Sequence, residues 1–310
     1  MTVPLTRSDN RRVAPGPFDL EASRHYSAWR DRKLADYPLR PTDLMVSVAD
    51  PAALSDAERC AILDALRKTN VALYQVAAEH AADKHLMRCF GRQFGLERLD
   101  SNLCADEDGI TALQVVEKRG EGEYIPYSNL RLNWHTDGYY NSLDRQIRGI
   151  VLQCVRPAAS GGESAFVDHE IAYILLRDAN PDYIRALMAP DAMTIPPNVQ
   201  NGVELRPEQT GPVFSVDGAG NLHMRYSARG RNIVWKDNAD TRAAAGFLLN
   251  LFQQDSPYIL RHRLEAGQGV ISNNALHCRA AFSNDVGSGR ERLLYRARYF
   301  DRIADNSGGG

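Results

Sequence analysis

The sequence predicts a mostly β protein of the α+β class, in which helices flank a β-barrel or β-sandwich core. From about residue 110 to residue 300, short apolar runs are separated by turn residues. This pattern is typical of many short strands and not of a parallel sheet built from βαβ units. The 310 residues are 44% hydrophobic and 25% charged, which is enough apolar material for a large core. We therefore expect one domain over residues 1–310.

The N-terminal part is expected to lie outside this core. Residues 1–40 are polar, rich in arginine and interrupted by proline, and they predict an extended arm or a peripheral layer. LSDAERCAILDALRKT, residues 54–69, has the apolar spacing of an amphipathic helix, with Ser55 or Asp56 as its N-cap. NVALYQV then predicts a short buried strand, and HAADKHLMRCFGRQFG predicts a second helix that ends at Gly95.

The remainder of the chain predicts strands that two helical regions interrupt. The predicted strands lie in ITALQVVEK, RQIRGIVLQCV, ESAFVD, GPVFSVD, LHMRYSA, GQGVISN and RLLYRARYF. The predicted helices lie in HEIAYILLRDA with PDYIRALM, and in DNADTRAAAGFLLNLFQQD. The core is thus expected at about residues 110–300, and residues 304–310 predict a mobile tail.

Charge and composition argue against several classes of protein. Lys and Arg number 37 against 39 Asp and Glu, so no basic excess exists to drive counterion release from nucleic acid. No run approaches 18 consecutive apolar residues, so no membrane span is expected. The N-terminus lacks the apolar core of a secretory signal, which makes the cytoplasm the expected location. Dispersed cysteines without a CxxC pair predict free thiols at Cys60, Cys89, Cys104, Cys154 and Cys278.

The stretch NWHTDGYYN, residues 133–141, places His135 and Asp137 two positions apart among aromatic residues. In a strand, residues i and i+2 face the same side, so this imidazole and this carboxylate would point toward one place. With a distant histidine they would complete a 2-His-1-carboxylate set, which binds iron and leaves coordination positions open. A surface loop produces the same short pattern by chance, so the hypothesis depends on a third ligand.

His277 is the best candidate for that ligand because it follows an apolar strand in GVISNNALHCRAAF. The alternative is a core histidine whose hydrogen bonds are satisfied locally. Fifteen positions later, GRERLLYRARYF carries several arginines on a predicted strand. Arg292 is expected to meet a carboxylate, which a guanidinium grips with two parallel hydrogen bonds. Arg290 and Arg298 are expected on a solvated strand face.

Four pieces of the chain, taken in order, resemble the taurine dioxygenase/clavaminate synthase-like superfamily of Fe(II)/2-oxoglutarate-dependent oxygenases. They are NWHTD (133–137), SGGES (160–164), NNALHCRAAF (273–282) and ERLLYR (291–296), and together they cover roughly residues 130–300. The resemblance implies a distorted double-stranded β-helix (jelly-roll or cupin-like) core. It also implies an oxidoreductase that uses Fe(II), 2-oxoglutarate and O₂.

The same resemblance implies a role for each matching residue. His135, Asp137 and His277 would hold the iron. Arg292 would bind the distal carboxylate of 2-oxoglutarate, and Ser164, which stands where the family usually has threonine, would hydrogen-bond the same group. A carboxylate at Asp137, where related halogenases have Gly or Ala, favours hydroxylation or a related oxidation such as desaturation.

The substrate is expected to be a small molecule. Arg296 and the arginines in HMRYSARGRNIVW, residues 223–235, favour an anion such as a carboxylate, a sulfonate or an amino acid. Arg296 matches a position that binds the acidic group of the substrate in taurine dioxygenase. The alternative for most of these arginines is pairing with surface acids. The expected substrate contacts beside Arg296 are Asn133, Trp134, Tyr139, Arg225 and Tyr226. An aromatic cage for a betaine or another quaternary amine is the alternative that the tyrosines support: Tyr124, Tyr127, Tyr139 and Tyr140.

Two other functions stay open on the sequence alone. A catalytically silent barrel that binds a small acid or a metal as a sensor has no need of the full set of iron and 2-oxoglutarate residues. An oxygenase that acts on protein or nucleic acid is disfavoured by the near-neutral charge. Homo-oligomers are usual in the family, but no feature of this sequence fixes a number of subunits.

Overall fold

The computed structural model describes residues 16–35, 37–38, 40–100, 108–115, 125–230, 233–285, 287 and 291–304. Its helices are α1 (Ser23–Leu34), α2 (Asp56–Thr69), α3 (Lys84–Arg92), α4 (His169–Ala179), α5 (Pro181–Leu187) and α6 (Ala239–Leu251). Short 3-10 turns span Pro41–Leu44, Ala78–His80, Ile125–Tyr127 and Leu143–Arg145. The predictions made for Cys104, Tyr124, Arg290 and residues 305–310 fall outside the described ranges.

The strands are short, as the sequence predicts. They are β1 (Met45–Ser47), β2 (Val71–Gln75), β3 (Thr111–Leu113), β4 (Leu132–His135), β5 (Gly149–Arg156), β6 (Ser160–Gly161), β7 (Ser164–Val167), β8 (Met193–Ile195), β9 (Asn198–Gln200), β10 (Val203–Arg206), β11 (Gln209–Gly211), β12 (Phe214–Val216), β13 (Leu222–Met224), β14 (Val234–Trp235), β15 (Leu260–His262), β16 (Gln268–Ser272), β17 (Leu276–Arg279), β18 (Phe282–Ser283) and β19 (Leu293–Tyr299).

Two larger sheets make the core. One has six strands in the order β1-β2-β16-β5-β19-β3, and the other has four strands in the order β15-β7-β17-β4. Side chains of both sheets meet in one buried cluster, which includes Leu152 and Val270 from the first sheet and Phe166 and Leu260 from the second. The two sheets therefore face each other, as in a jelly roll.

Helices cover the outer faces of both sheets. Because side chains alternate along a strand, Val151 and Ile271 point away from the shared cluster and pack with α2 and α3. On the other sheet, Val167 and Leu276 likewise pack outward against α4, α5 and α6. Burying one such aliphatic side chain stabilises the fold by about 1.5–3 kcal/mol. The result is four layers that hold the two inner faces in a fixed relation.

The N-terminal part differs from the prediction in two ways. β1 and β2 belong to the six-stranded sheet, so the core begins near Met45 and not near residue 110. An extended arm is wrong for residues 23–34, which form α1 and pack against α4. Lys33 of α1 is buried, and its ammonium lies 2.7 Å from an Asp168 carboxylate oxygen and 2.5 Å from one of Glu170. These contacts make residues 23–34 a peripheral layer, which was the alternative to an arm.

Several local predictions are confirmed. Ser55 caps α2, and its side chain accepts from the Glu58 N–H while the Glu58 carboxylate accepts from the Ser55 N–H. The second predicted helix is present but ends earlier than predicted, because α3 stops at Arg92 and not at Gly95; Gly95 does take the left-handed conformation expected after a helix. The four described cysteines are free thiols. Within the described ranges, no helix is long and apolar enough to cross a membrane.

Candidate metal centre and its cavities

The three predicted iron ligands lie together inside the jelly roll. β17 pairs with β4 so that His277 stands opposite His135, and Asp137 follows β4 by two residues. The ligand atoms of His135, Asp137 and His277 all lie within 4.8 Å of one another, and all three residues are buried. The His135 Nε2 is 3.6 Å from the Asp137 Oδ1. The spacing suits three ligands on one face of a single metal ion.

Hydrogen bonds to the backbone orient both imidazoles. The Nδ1 of His135 is 2.8 Å from the Asn133 carbonyl oxygen, and the Nδ1 of His277 is 3.0 Å from the Ala275 carbonyl oxygen. A carbonyl only accepts, so each Nδ1 carries the proton and each Nε2 keeps its lone pair for a metal. Burial, with the nearby His135 imidazole, lowers the pKa of His277 to about 4. His277 is therefore neutral at pH 7, which is the form that binds metal.

Asp137 is held in its charged form. Burial alone would raise the pKa of this carboxyl, but Arg296 and the nearby His135 and His277 imidazoles keep it well below its usual value. The Arg296 Nη1 is 3.2 Å from the Asp137 Oδ1. The other oxygen, Oδ2, is buried and has no hydrogen-bond partner in the described part of the chain. A buried, charged and unpartnered oxygen beside two imidazole lone pairs fits an Fe(II) ion.

The turn after β4 brings Asp137 to the histidines. The sequence predicted that His135 and Asp137 share one strand, but the strand ends at His135. Gly138 then takes φ +64°, and a Cβ at this position would lie 2.4 Å from the Ile147 Cγ1. Both the backbone conformation and the close approach of Ile147 require glycine here. The turn, and not strand periodicity, therefore sets the direction of the carboxylate.

Arg292 and Ser164 border the same small cavity, of about 10 Å³, which leaves room for about one water-sized group. Both residues are buried, and Arg292 lies 5.0 Å above the centre of the Phe282 ring. No oxygen of a described residue accepts a hydrogen bond from the Arg292 guanidinium. Burial lowers its pKa to about 10, so it remains a cation at neutral pH. A buried guanidinium beside a hydroxyl, with no anion to meet it, fits the distal carboxylate of 2-oxoglutarate.

A much larger cavity, of about 1020 Å³, opens on the metal centre. His135 and Asp137 form part of its wall, as do three of the predicted substrate contacts: Asn133, Tyr139 and Arg296. One side of this cavity is formed by residues 195–200 and 205–207, which include the hairpin of β9 and β10 and the prolines next to it. Five arginines and two acids face this space: Arg145, Arg206, Arg229, Arg296, Arg298, Asp100 and Asp137.

Three other predicted substrate contacts lie outside this cavity. Trp134 is 4% exposed and stacks on Phe252, with ring centres 5.1 Å apart. Tyr226 is 2% exposed and packs on the same Phe252 ring, and its backbone pairs with Thr136. Arg225 is buried, and its guanidinium donates to backbone carbonyls only. All three residues support the wall behind the metal centre and do not face the space where a substrate would lie.

Arg298 also differs from its prediction as a solvated residue. It is 3% exposed, its Nη2 lies 2.5 Å from the Asp100 carboxylate, and its Nη1 donates to the Tyr140 hydroxyl. Burial would lower its pKa, but Tyr140, Asp137 and Asp100 together raise it above the ordinary value. Asp100 was not foreseen because it lies 198 residues from Arg298 in the sequence, and no local signal marks it.

The chain matches a protein-family model and is similar to a named dioxygenase. The family model described as taurine catabolism dioxygenase TauD, TfdA family matches residues 33–298. A uridine-5'-phosphate dioxygenase of Amycolatopsis sp is 34% identical over 176 residues, which is 54% of this chain. The match spans 60% of that relative's length.

Solved structures of oxygenases share the fold. An asparagine oxygenase in complex with Fe(II), hydroxyasparagine and succinate gives a TM-score of 0.56 at 14% identity, over 83% of this chain and 93% of that chain. The non-heme iron oxygenase OrfP, with Fe, succinate and dihydroxy-L-Arg, gives 0.59 at 14% identity, over 80% and 82%. A taurine dioxygenase from Burkholderia xenovorans gives 0.52 at 16% identity, over 82% and 87%. These likenesses confirm the predicted jelly-roll fold.

Proposed function

This chain belongs to the TauD/TfdA family of dioxygenases, and from that premise we propose that it uses Fe(II), 2-oxoglutarate and O₂ to oxidise a C–H bond of a small anionic substrate. When bound, the iron and cosubstrate would activate O₂: one oxygen atom would convert 2-oxoglutarate to succinate and CO₂, and the other would supply the oxidant for the C–H bond. The protein contributes ligands, orientation and a cavity for the substrate.

The roles of the chain's own residues follow from their contacts. His135, His277 and Asp137 offer three ligand atoms from one side, which leaves the opposite side for cosubstrate and O₂. Arg292 and Ser164 would fix the far end of the cosubstrate by hydrogen bonds to its carboxylate. Arg296 holds Asp137 ionised and fixes one of its two oxygens.

The observation that supports an anionic substrate is the charge of the large cavity. Arg296 and Arg298 are balanced by Asp137 and Asp100. The other three arginines have no carboxylate within ion-pair distance among the described residues: Arg145, Arg206 and Arg229. Since an excess of cations in a partly enclosed space attracts anions, this cavity favours a substrate with one or two negative charges.

The size of the cavity and the named relative together indicate which anion to test first. A space of about 1020 Å³ is ample for a molecule larger than an amino acid. The Amycolatopsis relative is named for uridine 5'-phosphate, which joins an anionic group to a ring system. A nucleoside 5'-monophosphate is therefore the first candidate, ahead of amino acids and sulfonates.

The alternative of a betaine is less well supported. An ammonium cage needs open aromatic faces, but the Tyr140 ring already has the Arg206 guanidinium 5.8 Å from its centre, and its hydroxyl binds Arg298. Tyr139 meets Tyr140 edge to face, with ring centres 5.2 Å apart. A second cation in this place would be repelled by the arginines.

The test is a turnover assay that measures succinate formation with Fe(II), ascorbate and 2-oxoglutarate. Nucleoside monophosphates, the matching uncharged nucleosides, amino acids, sulfonates and betaines are supplied in turn. We expect a monophosphate to stimulate succinate formation and to be oxidised itself. Faster oxidation of a betaine or an uncharged nucleoside would contradict the anionic assignment. The absence of any succinate from well-folded protein would favour the sensor alternative.

A pair of variants tests the arginines directly. Arg229→Ala is expected to raise the KM for the anionic substrate about 10-fold or more, because a hydrogen bond between charged groups contributes about 1.5–3 kcal/mol. The cosubstrate KM should stay the same. Arg242→Ala is the matched control, since Arg242 lies on α6, is exposed and pairs with Asp237. Equal KM values in both variants would remove Arg229 from the substrate site.

A further inference from the structure

We propose that Asn274 is a positioning residue of the metal centre, whose side-chain amide fixes the segment that carries Asp137. The proposal rests on the metal site described under the proposed function and extends it to a residue that binds neither metal nor substrate. Asn274 lies in NNALHCRAAF, three residues before His277. The sequence pattern of this stretch marks the histidine and does not single out the asparagine.

Asn274 uses its whole amide on the ligand-bearing turn. Its Oδ1 accepts from the Asp137 N–H at 2.8 Å, and its Nδ2 donates to the Asp137 carbonyl at 2.9 Å. The same Nδ2 donates to the Ile147 carbonyl at 2.6 Å. Only one orientation of the amide matches one donor and two acceptors, so the side chain is fixed in that orientation. Asp137 is therefore held by both of its backbone groups.

The backbone of Asn274 shapes the approach to the second ligand. It takes φ +54° in the turn between β16 and β17, where the Ser272 hydroxyl accepts from the Ala275 N–H. The carbonyl of Ala275 in turn accepts from the His277 Nδ1. Asparagine is among the few residues besides glycine that enter this left-handed conformation readily. One residue thus links the Asp137 turn to the turn that orients His277.

Burial makes this link costly to lose. Asn274 is 1% exposed, and without its amide both the N–H and the carbonyl of Asp137 would be left unsatisfied in the interior. The Asp137 turn also depends on the close packing of Gly138 on Ile147, the residue whose carbonyl Asn274 holds. A metal ligand on a loosened turn would sample positions that do not match the two histidines.

The neighbouring Asn273 provides a matched control. It is also buried, at 6% exposed, and its amide makes two hydrogen bonds where that of Asn274 makes three. Those bonds join the Asn70 side chain at 3.0 Å and the Ile303 N–H at 3.2 Å, and neither partner belongs to the metal centre. A purely structural role would make the two asparagines equivalent, whereas a positioning role separates them.

The experiment compares Asn274→Gly with Asn273→Ala in metal-free protein titrated with Co(II). Glycine readily adopts the left-handed backbone conformation, and the substitution removes the side chain with its amide. Co(II) is redox-stable, and its visible d–d absorption reports the ligand geometry. We expect N274G to raise the Co(II) Kd by about 10–100-fold, as is usual when a partner of a metal ligand is lost, and to change the d–d spectrum. N273A should lower the Tm and leave the Co(II) Kd and spectrum as in the wild type.

Two results would overturn the proposal, and a third concerns the proposed function. N274G with a wild-type Co(II) Kd and spectrum, and a Tm loss like that of N273A, would show a structural role only. If N274G does not fold, Asn274→Asp and Asn273→Asp are compared in the same titration, and equal Kd values overturn the proposal. A wild-type protein that binds no Co(II) at all would instead reject the metal centre itself.

Discussion

Arg225 and Arg292 are both buried arginines, but they lie in regions that differ in what surrounds the guanidinium. Arg225 is 2% exposed and follows β13 in the layer outside the four-stranded sheet. Arg292 is 5% exposed and precedes β19, where its guanidinium meets the Phe282 ring and no oxygen of a described residue. The Arg225 guanidinium instead donates to four backbone carbonyls: those of Met193, Gln209, Gly211 and Pro212.

The difference separates two uses of a buried cation. A guanidinium that is surrounded by carbonyl oxygens has its hydrogen bonds satisfied and ties strands together. A guanidinium buried without oxygens is unfavourable on its own, so its presence indicates an anion that comes from outside the chain. Arg296 is intermediate, since the Asp137 carboxylate meets its Nη1 while its Nε is buried without a partner among the described residues. The oxygens around each arginine therefore distinguish structural arginines from ligand-binding ones.

Asp137→Ala is expected to have the largest effect of these substitutions. It removes one proposed metal ligand and leaves Arg296 buried without an acid, as Arg292 already is. We expect succinate formation to fall to the level of the assay without enzyme, and Fe(II) binding to weaken strongly. His135→Ala should have the same effect on turnover while it leaves the ion pair of Arg296 and Asp137 in place. Full activity in either variant would remove the metal assignment.

Arg292→Met removes the charge of the arginine that has no oxygen partner and keeps most of its side-chain volume. We expect the cosubstrate KM to rise about 30-fold or more, because truncating one partner of a buried ion pair costs about 2–5 kcal/mol. The Tm in the absence of cosubstrate should not fall, since no oxygen of a described residue loses a partner. An unchanged KM would mean that another cation holds the cosubstrate.

Arg225→Met is the same substitution in the other region, and the opposite pattern is expected. Four backbone carbonyls lose this donor, two of them in buried and two in part-buried hydrogen bonds, so the free energy of unfolding should fall by about 1–3 kcal/mol or more. The KM values for substrate and cosubstrate in the remaining folded protein should match the wild type. Chemical denaturation with parallel kinetics checks both points. A raised substrate KM at unchanged stability would restore Arg225 to the substrate site, where the sequence placed it.

These two arginines also show what can and cannot be predicted from the sequence. Local patterns predicted α2 with its Ser55 cap, most of the strands, and a ligand set whose members prove to lie within 4.8 Å. The family and the jelly-roll fold are confirmed by the comparisons. The roles of the site residues are predictions, which the variants described above test.

The failures share one physical cause, which is that a side chain's partners come from distant parts of the chain. Arg225 meets carbonyls that precede it by 13 to 32 residues, and Arg298 meets Asp100 across 198 residues. α1 has little amphipathic character, and it is held by contacts such as that of Lys33 with Asp168. Residue type and periodicity do not contain such information, because it exists only once the sheets have assembled.

Ser164→Ala gives the smallest effect and tests whether the hydroxyl shares the anion with Arg292. Losing one hydrogen bond of about 0.5–1.5 kcal/mol should raise the cosubstrate KM by a factor of about 2 to 12. Ser164→Thr should keep the wild-type KM, because threonine retains the hydroxyl. Ser160→Ala is the matched control, since the Ser160 hydroxyl is exposed and bonds Ser283 at 2.7 Å. If S164A and S160A have the same cosubstrate KM, the Ser164 hydroxyl does not contribute to binding the anion, and Arg292 binds it without this hydrogen bond.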